Sequence, residues 1–378
     1  MTQRHFDTLI PPLVLFIVGP TASGKSDLAV ALAKRMNGEV ISADSMLVYQ
    51  GMDIGTAKLS AKERRGVPHH GIDLVPPTKS FSVFKFRQFA LKAIRDVVKN
   101  GKTPIVAGGT GFYVRALLEG LSPQPGANPA IRRKLESEAQ KKGLPALYKR
   151  LLKADPERAQ AIGPDNQRRI IRALEIYLVS GKKPSKSSAK TPGLVELGYQ
   201  PVVIGIHRDR PALYQKINKR VDRMFRRGLV REVERLAKKK LSVTALQGVG
   251  YKEVLEFLKR NASGPGKQHP VLNSVGARSS TGCRPGVLPA ATVGEVKEKI
   301  KQTTRHFAKR QWTWFKRERG IRWVWWPEGV PLADVSDYIL THMIISSRMK
   351  DGGCRMTKVF KKLYPSSDFR YPGGCDGR

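Results

Sequence analysis

Cysteine is scarce in this chain: only Cys283, Cys354 and Cys375 occur, far apart and never as a C-x-x-C pair. That spacing supports neither a zinc site nor a disulfide framework, and it suits a reducing compartment. No apolar run reaches the roughly 18 residues a membrane span needs, so no membrane partner is expected. The residues ahead of Leu13 include Asp7 and are too few for a signal or transit peptide, which makes the cytoplasm the expected compartment. Acidic residues are also short, 31 Asp plus Glu against 69 Lys plus Arg, for a formal charge of +38. Folding alone does not require that excess; it favours a polyanionic partner, nucleic acid first. At 378 residues the chain exceeds a typical domain of about 150, so one large core with an insertion or second domain is expected.

What is present starts at Leu13. An apolar run to Val18 reads as a buried strand, and Gly19, Gly24, Lys25 and Ser26 then fill the G-x-x-x-x-G-K-[ST] pattern. Leu28, Leu32, Ala33 and Met36 repeat at helical spacing until Asn37-Gly38 stops them. Glycines let the backbone wrap so that N–H groups point at phosphate oxygens, and the helix start adds its positive end. Lys25 would reach the outer phosphate and Ser26 a bound Mg²⁺. The loop alone does not decide between a nucleoside triphosphate and another diphosphate.

A second short strand from Glu39 is expected to end in Asp44, beyond the carboxyl edge of the sheet where open α/β folds bind ligands. A carboxylate there can hold Mg²⁺ through water or accept a proton; an Asx turn is the structural alternative. Gly51 to Val75 reads as a loop able to close over a ligand, and its His69-His70 pair has no third ligand at zinc spacing. Ser82 caps an amphipathic helix to about Lys99, a scaffold element. Strand Thr103 to Ala107 leads into Gly108-Gly109-Thr110-Gly111, whose glycines allow close approach and whose Thr110 offers a hydroxyl toward the first loop.

From Leu121 prolines break the α/β alternation, and Ile131 to about Tyr177 is helical in pattern, with Arg132-Arg133-Lys134 and Arg168, Arg169 and Arg172 on its helices. Arginines at three- and four-residue spacing share a face and fit phosphate-backbone contacts. The core resumes with a strand at Pro201 to Ile206 and a helix from about Pro211 carrying Arg220 and Arg223. Asn261 to Gly294 is rich in Gly, Pro and Ser, without acids or periodicity, and reads as disordered or a long loop. Glu295 to Arg319 is a basic helix in which Trp312 and Trp314 alternate with Lys309, Arg310, Lys316 and Arg317, a combination suited to RNA phosphates and stacked bases. The expected organisation is a core over 1–120, a helical insertion over 121–200, core again over 201–260 and 295–346, and unstructured segments at 261–294 and 347–378.

Taken in order, Gly-Pro-Thr-Ala-Ser-Gly-Lys-Ser (19–26), Ile-Ser-Ala-Asp-Ser-Met-Leu-Val-Tyr-Gln-Gly-Met-Asp-Ile-Gly-Thr-Ala-Lys (41–58), Gly-Gly-Thr-Gly-Phe-Tyr (108–113), Arg-Arg-Ile-Ile-Arg-Ala-Leu-Glu (168–175), Gly-Val-Gly-Tyr-Lys-Glu (248–253) and Thr-Arg-His-Phe-Ala-Lys-Arg-Gln-Trp-Thr-Trp-Phe (304–315) resemble the tRNA dimethylallyltransferase family, bacterial type. The resemblance implies an α/β fold: a P-loop NTPase-like parallel sheet core with a helical insertion domain. It implies transfer of a dimethylallyl group from dimethylallyl diphosphate to N6 of the adenosine 3′ of the anticodon, by a monomer using Mg²⁺ at Ser26. Gly19, Pro20, Thr21, Ala22, Ser23, Gly24, Lys25 and Ser26 would cradle the diphosphate. Asp44 would act as base, with Thr21, Lys25 and Arg220 stabilising the leaving group.

The same resemblance implies contact with the anticodon stem-loop at Asp44, Ser45, Met46 and Leu47, at Thr110 and Arg132, and at Arg168, Arg169, Ile170, Ile171 and Arg172. It adds Gln247, Gly248, Val249, Gly250, Tyr251 and Lys252, then Lys309, Arg310, Gln311, Trp312, Thr313, Trp314, Phe315 and Lys316. Two departures stand out. The 261–294 stretch replaces the family's short acidic link, and the cysteines cannot build the zinc finger that eukaryotic relatives often carry. The alternatives are a small-molecule or nucleotide kinase, weakened because the strand at 103–107 ends in glycines rather than Asp, and a non-catalytic RNA-binding protein.

Overall fold

The computed structural model of the chain describes residues 10–186, 190–262 and 292–345. The segment 263–291, the tail from 346 and all three cysteines lie outside them. Strand β1 (Leu13–Val18) is buried at every position, as expected of a central parallel strand covered on both faces. It pairs in parallel with β4 (Thr103–Gly108) on one side and β5 (Gln200–His207) on the other. With β2 (Gly38–Ser42), β3 (His69–His70) and β6 (Ile321–Trp325) they form a six-stranded sheet in the order β3-β2-β4-β1-β5-β6, every pairing parallel.

β2 stops at Ser42 rather than at Asp44, so Asp44 stands on the loop beyond the strand. β3 and β6 are absent from the sequence reading because two residues carry no periodicity and a Trp-rich edge after a basic helix carries an ambiguous one. The helix α1 (Lys25–Arg35) covers one face of the sheet, placing Leu28 and Leu32 against Leu15, Ile17, Ile105 and Ile204 in a single core cluster. Truncating one such fully buried leucine costs about 3 kcal/mol.

The chain divides into two units, one of residues 1–118 with 198–378 and the other Glu119–Leu197. In the first, a four-residue helix α2 (Ala61–Arg64) and the long α3 (Val83–Lys99) precede β4, and α4 (Gly111–Leu118) follows it. Ser82 accepts from Lys85 N at the start of α3, the capping bond the sequence announces.

The second unit is built of α5 (Pro129–Lys142), α6 (Leu144–Ala154), α7 (Pro156–Ile162) and α8 (Gln167–Ser180). Leu135, Leu147, Leu151, Ile170, Ile171 and Leu174 form its own core.

After β5, the first unit continues through α9 (Arg210–Arg226), α10 (Leu229–Ala237), α11 (Tyr251–Ala262) and α12 (Val293–Lys316), then α13 (Leu332–Tyr338) beyond β6. The expected loop at 261–294 is therefore helical at both described margins. Thr292 and Glu295 close a capping box that starts α12 two residues earlier than the hydrophobic pattern suggests.

Candidate active site

The phosphate-binding loop leaves β1 at Gly19 with φ +146° and reaches α1 through Gly24 with φ +96°, conformations that side chains beyond glycine rarely adopt. A side chain on Gly19 would also sit 2.8 Å from Ile206 O. Underneath, the buried Arg208 donates from Nε to Ser23 O at 2.7 Å and from Nη1 to Trp326 O at 3.1 Å, with its guanidinium over the Trp326 ring. Burial lowers the Arg208 pKa to about 10. From the side, the Gln311 amide accepts from Thr21 N at 2.8 Å and donates to Gly109 O at 2.9 Å. The first-turn N–H groups of α1 have no acceptor within the helix, which is the arrangement that lets a helix start hold an anion.

Lys25 donates to Pro20 O at 3.2 Å. Burial brings its pKa down to about 8; Asp44 opposes that shift and Arg220 adds to it, so the three charges share one neighbourhood. The Arg220 guanidinium is likewise lowered by burial, against the pull of Asp44, and donates to Thr56 O at 3.0 Å. Asp44 Oδ1 accepts from Met46 N at 2.9 Å, the Asx turn that the sequence leaves open, and its other carboxylate oxygen is not spent on that turn. Thr110 differs from expectation: its hydroxyl serves the Asp44 loop, accepting from Ser45 N at 3.0 Å, and does not reach for the phosphate loop.

A cleft of about 400 Å³ opens over Lys25 and Arg220, lined by the P-loop residues Ala22 and Gly24 to Asp27, by Ile54, Ala57, Lys58 and Leu59, and by α9; Asp44 is not part of its lining. Lys216, Arg220, Arg223 and Arg227 line it from that helix, spaced four, three and four apart along one face. Only Arg220 among them is singled out as a site residue by sequence; the spacing was the available signal for the other three. Glu63 and Asp27 are its acids, and burial beside Glu63 raises the Asp27 pKa.

The loop at 51–75 is tied to the rest of the fold by several polar contacts. Lys58 Nζ, almost wholly buried, bonds Asp53 at 2.5 Å, Asp73 at 2.6 Å and Tyr49 O at 3.1 Å. Glu232 of α10 accepts from the backbone N–H of Asp53, Ile54 and Gly55. His70 is spent on Glu39 at 2.6 Å and His69 on Val67 O at 2.8 Å. Lys58 closes the 41–58 run that carries the family resemblance, whereas Glu232 lies in no local motif and nothing in the sequence marks it.

Two of the expected RNA-contacting segments meet. Gly248 packs on Met46, where an added side chain would meet its sulfur at 3.2 Å and Tyr251 at 3.0 Å, which brings the 44–47 loop to the 247–252 turn. Gln247 and Lys252 of that turn are exposed, Val249 is part-buried, and Gly250 is buried. Lys309, Arg310, Thr313 and Lys316 are exposed on α12. Trp312 lies against His207 and edge-on to Trp323, with centroids 4.4 and 4.7 Å away. Trp314 packs on Gly111 under the Arg115 guanidinium.

Other side chains in the expected RNA set are enclosed, and burial removes them as side-chain contacts. Tyr251 gives its hydroxyl to Glu232 at 2.6 Å, Gln311 is buried between α12 and the loops after β1 and β4, and Phe315 is fully buried. In the second unit Ile170 and Ile171 are core, whereas Arg168 and Arg169 are exposed. There Arg132 and Arg172 both bond the fully buried Glu175, at 2.7 and 2.8 Å. Three-residue spacing marks a helix face but not which face, and the apolar members of the run turn inward.

Among the described residues no group of three His, Cys, Asp or Glu could hold a metal ion, and no helix is long and apolar enough to cross a membrane. Ser26, exposed beside the anion loop, and Asp44 offer hard oxygen donors of the kind Mg²⁺ takes when phosphates and water complete its shell.

Sequence profiles match the chain over residues 47–318 for the IPP transferase family and 12–69 for isopentenyl transferase. The tRNA dimethylallyltransferase of Acetivibrio thermocellus is 42% identical over 318 residues, 82% of this chain and 91% of that protein. The tRNA dimethylallyltransferase 2 of Geotalea uraniireducens is 40% identical over 317 residues, 83% of this chain and 93% of that one. Among solved structures, the tRNA isopentenylpyrophosphate transferase of Bacillus halodurans superposes with a TM-score of 0.59 at 36% identity, covering 90% of this chain and 99% of the other. A eukaryotic dimethylallyltransferase acting on tRNA gives a TM-score of 0.63 at 27% identity, over 89% and 77% of the two chains. An all-parallel sheet with a phosphate loop, a carboxylate on the neighbouring loop and these relatives over most of its length make the chain a member of the tRNA dimethylallyltransferase family of prenyltransferases.

Proposed function

We propose that the chain transfers a dimethylallyl group from dimethylallyl diphosphate to the exocyclic N6 of the adenosine 3′ of the anticodon in tRNA. The observation that carries this reading is the shared neighbourhood of Lys25, Arg220 and Asp44. Two cations at an anion loop suit a departing diphosphate, and a carboxylate beside them suits a proton acceptor. In the transfer the N6–carbon bond forms as the carbon–oxygen bond to the diphosphate breaks. The diphosphate leaves with the bonding pair, and one N6 proton passes to Asp44.

An adenine amine is a poor nucleophile, so base assistance and alignment both contribute to the rate. Lys25, Arg220 and the first-turn N–H groups of α1 stabilise the charge that builds on the leaving group. Ser26 would hold Mg²⁺, whose contribution when bound is further neutralisation of that diphosphate. Lys216, Arg223 and Arg227 extend the positive lining outward along α9. The RNA side of the reading rests on Ser45 to Leu47, the 247–252 turn, and the exposed bases Lys309, Arg310 and Lys316. The adenosine would leave the anticodon-loop stack to reach Asp44.

The strand β4 ends at Gly108 and is followed by Gly109-Thr110 rather than by a carboxylate, which argues against the kinase alternative. The test is incubation with labelled dimethylallyl diphosphate, Mg²⁺ and unmodified tRNA, followed by nucleoside analysis. N6-isopentenyladenosine is the expected product. Label transfer from ATP to a small molecule, with none from the prenyl donor, would replace this reading by a kinase.

A further inference from the structure

Gln311 sits in the run of α12 whose exposed members face solvent as bases, yet its own side chain is buried. Both polar atoms of its amide are committed. Oε1 accepts from Thr21 N at 2.8 Å in the diphosphate loop, and Nε2 donates to Gly109 O at 2.9 Å in the loop after β4. Gly109 is glycine for this reason: an added carbon there would stand 2.2 Å from Nε2. The next residue, Thr110, holds Ser45 N at 3.0 Å, and Ser45 is bonded in sequence to Asp44. A continuous path therefore runs from Thr21 through Gln311, Gly109, Thr110 and Ser45 to Asp44.

α12 is itself tied to the helix that carries Arg220. Arg305 Nη1 donates to Asn218 Oδ1 at 2.9 Å, and Lys297 and Lys301 pair with Asp222 at 3.2 and 3.0 Å. One helix thus braces the diphosphate loop, the Asp44 loop and α9 together. The Thr21 N–H is directed at Gln311, which removes it from the donors that a phosphate can use and makes it a fixed point of the loop.

We infer that Gln311 is a positioning residue that sets the distance between the leaving-group loop and the loop of the proton acceptor Asp44, and that it is not an RNA contact. The inference rests on the proposed prenyl transfer for its kinetic meaning. An amide is the group that fits: it supplies one donor and one acceptor at the reach of a three-carbon stem, whereas an ionised carboxylate would keep the Thr21 bond and repel Gly109 O. Misplacement of reacting groups by about 1 Å costs on the order of 100-fold in rate.

The experiment compares wild type with Gln311→Leu, Gln311→Glu and Gly109→Ala, measuring kcat, both KM values, tRNA binding, binding of inorganic pyrophosphate, and hydrogen exchange at the Thr21 amide. Gln311→Leu is expected to lower kcat by roughly 10- to 100-fold while tRNA affinity stays within about twofold, and to speed Thr21 exchange. Gln311→Glu is expected to be as impaired at neutral pH and to recover relative to wild type as pH falls, because a protonated carboxyl again offers a donor and an acceptor. Gly109→Ala combined with Gln311→Leu should cost less than the product of the two separate losses. A merely destabilising role would scale the active fraction and the pyrophosphate stoichiometry together, with no recovery at low pH.

The inference is overturned if Gln311→Leu weakens tRNA binding tenfold or more at unchanged kcat, or if kinetics and Thr21 exchange are both unchanged. Should wild type itself transfer no prenyl group, the proposed function fails, and Thr21 exchange still decides whether Gln311 holds the loop.

Discussion

The Tyr251 hydroxyl donates to Glu232 at 2.6 Å, and the same carboxylate accepts the backbone N–H of Asp53, Ile54 and Gly55. A single buried acid thereby joins α10, the start of α11 and the loop that lines the cleft beside the P-loop. Gly55 lies against the Tyr251 ring, where any side chain would come within 2.5 Å. Burial and the facing carboxylate push the Tyr251 phenol far above its ordinary range, so it stays a donor at every working pH.

Glu232→Ala is expected to lower stability by about 3 kcal/mol, because three part-buried N–H groups and the buried Tyr251 hydroxyl lose their acceptor together. Tyr251→Phe removes one bond to a charged acceptor and should cost about 1.5 kcal/mol. Denaturant unfolding of the three proteins checks both, and equal stability would show that water replaces Glu232 without loss.

Lys25 supplies a pH signature. With its pKa brought down to about 8 by burial, the free site loses this charge as pH rises through that value, and diphosphate affinity should fall with it. Pyrophosphate calorimetry between pH 7 and 9.5 tests this; a flat profile removes Lys25 from the anion site. The stability effect runs the other way. The unfolded chain binds the Lys25 proton up to about pH 10.5 and the folded chain only to about 8, so this residue favours the fold increasingly as pH rises across that window. Lys25→Met should abolish the affinity change without lowering the melting temperature at neutral pH.

For Asp44, replacement by Asn keeps an oxygen for Met46 N and removes the proton acceptor. Turnover should drop at least about 100-fold with tRNA affinity nearly intact. Unchanged turnover would take Asp44 out of the chemistry.

The exposed bases of α12 should act as phosphate contacts that are indifferent to sequence. Replacing Lys309 and Arg310 together by Gln is expected to weaken tRNA binding and reduce the slope of log affinity against log salt by about 1.5. An unaltered slope would place the RNA elsewhere on the surface.

How much of this was legible beforehand follows from the range over which each signal acts. The phosphate loop, the α3 and α9 helices and the change of texture at Leu121 are local patterns of glycine placement, capping and 3.6-residue periodicity, and they read directly from the chain. Lys25 and Ser26 stand out as candidates the same way, since a strand-loop-helix context carries its own geometry; Asp44, which an Asx turn explains equally well on local grounds, stands out only through the family resemblance. Which members of a basic run face outward does not stand out in this way: Gln311 interrupts the run where the loops after β1 and β4 cover it, Phe315 where it is buried, and Ile170 and Ile171 turn into a helical core. Thr21 and Gln311 are 290 residues apart, and Glu232 meets the 53–55 loop across a comparable gap. No periodicity spans such separations. Sequence alone determined what chemistry the loop could hold; the folded chain decided which buried amide and carboxylate hold that loop in place, because a desolvated polar group must find its partner wherever packing brings one.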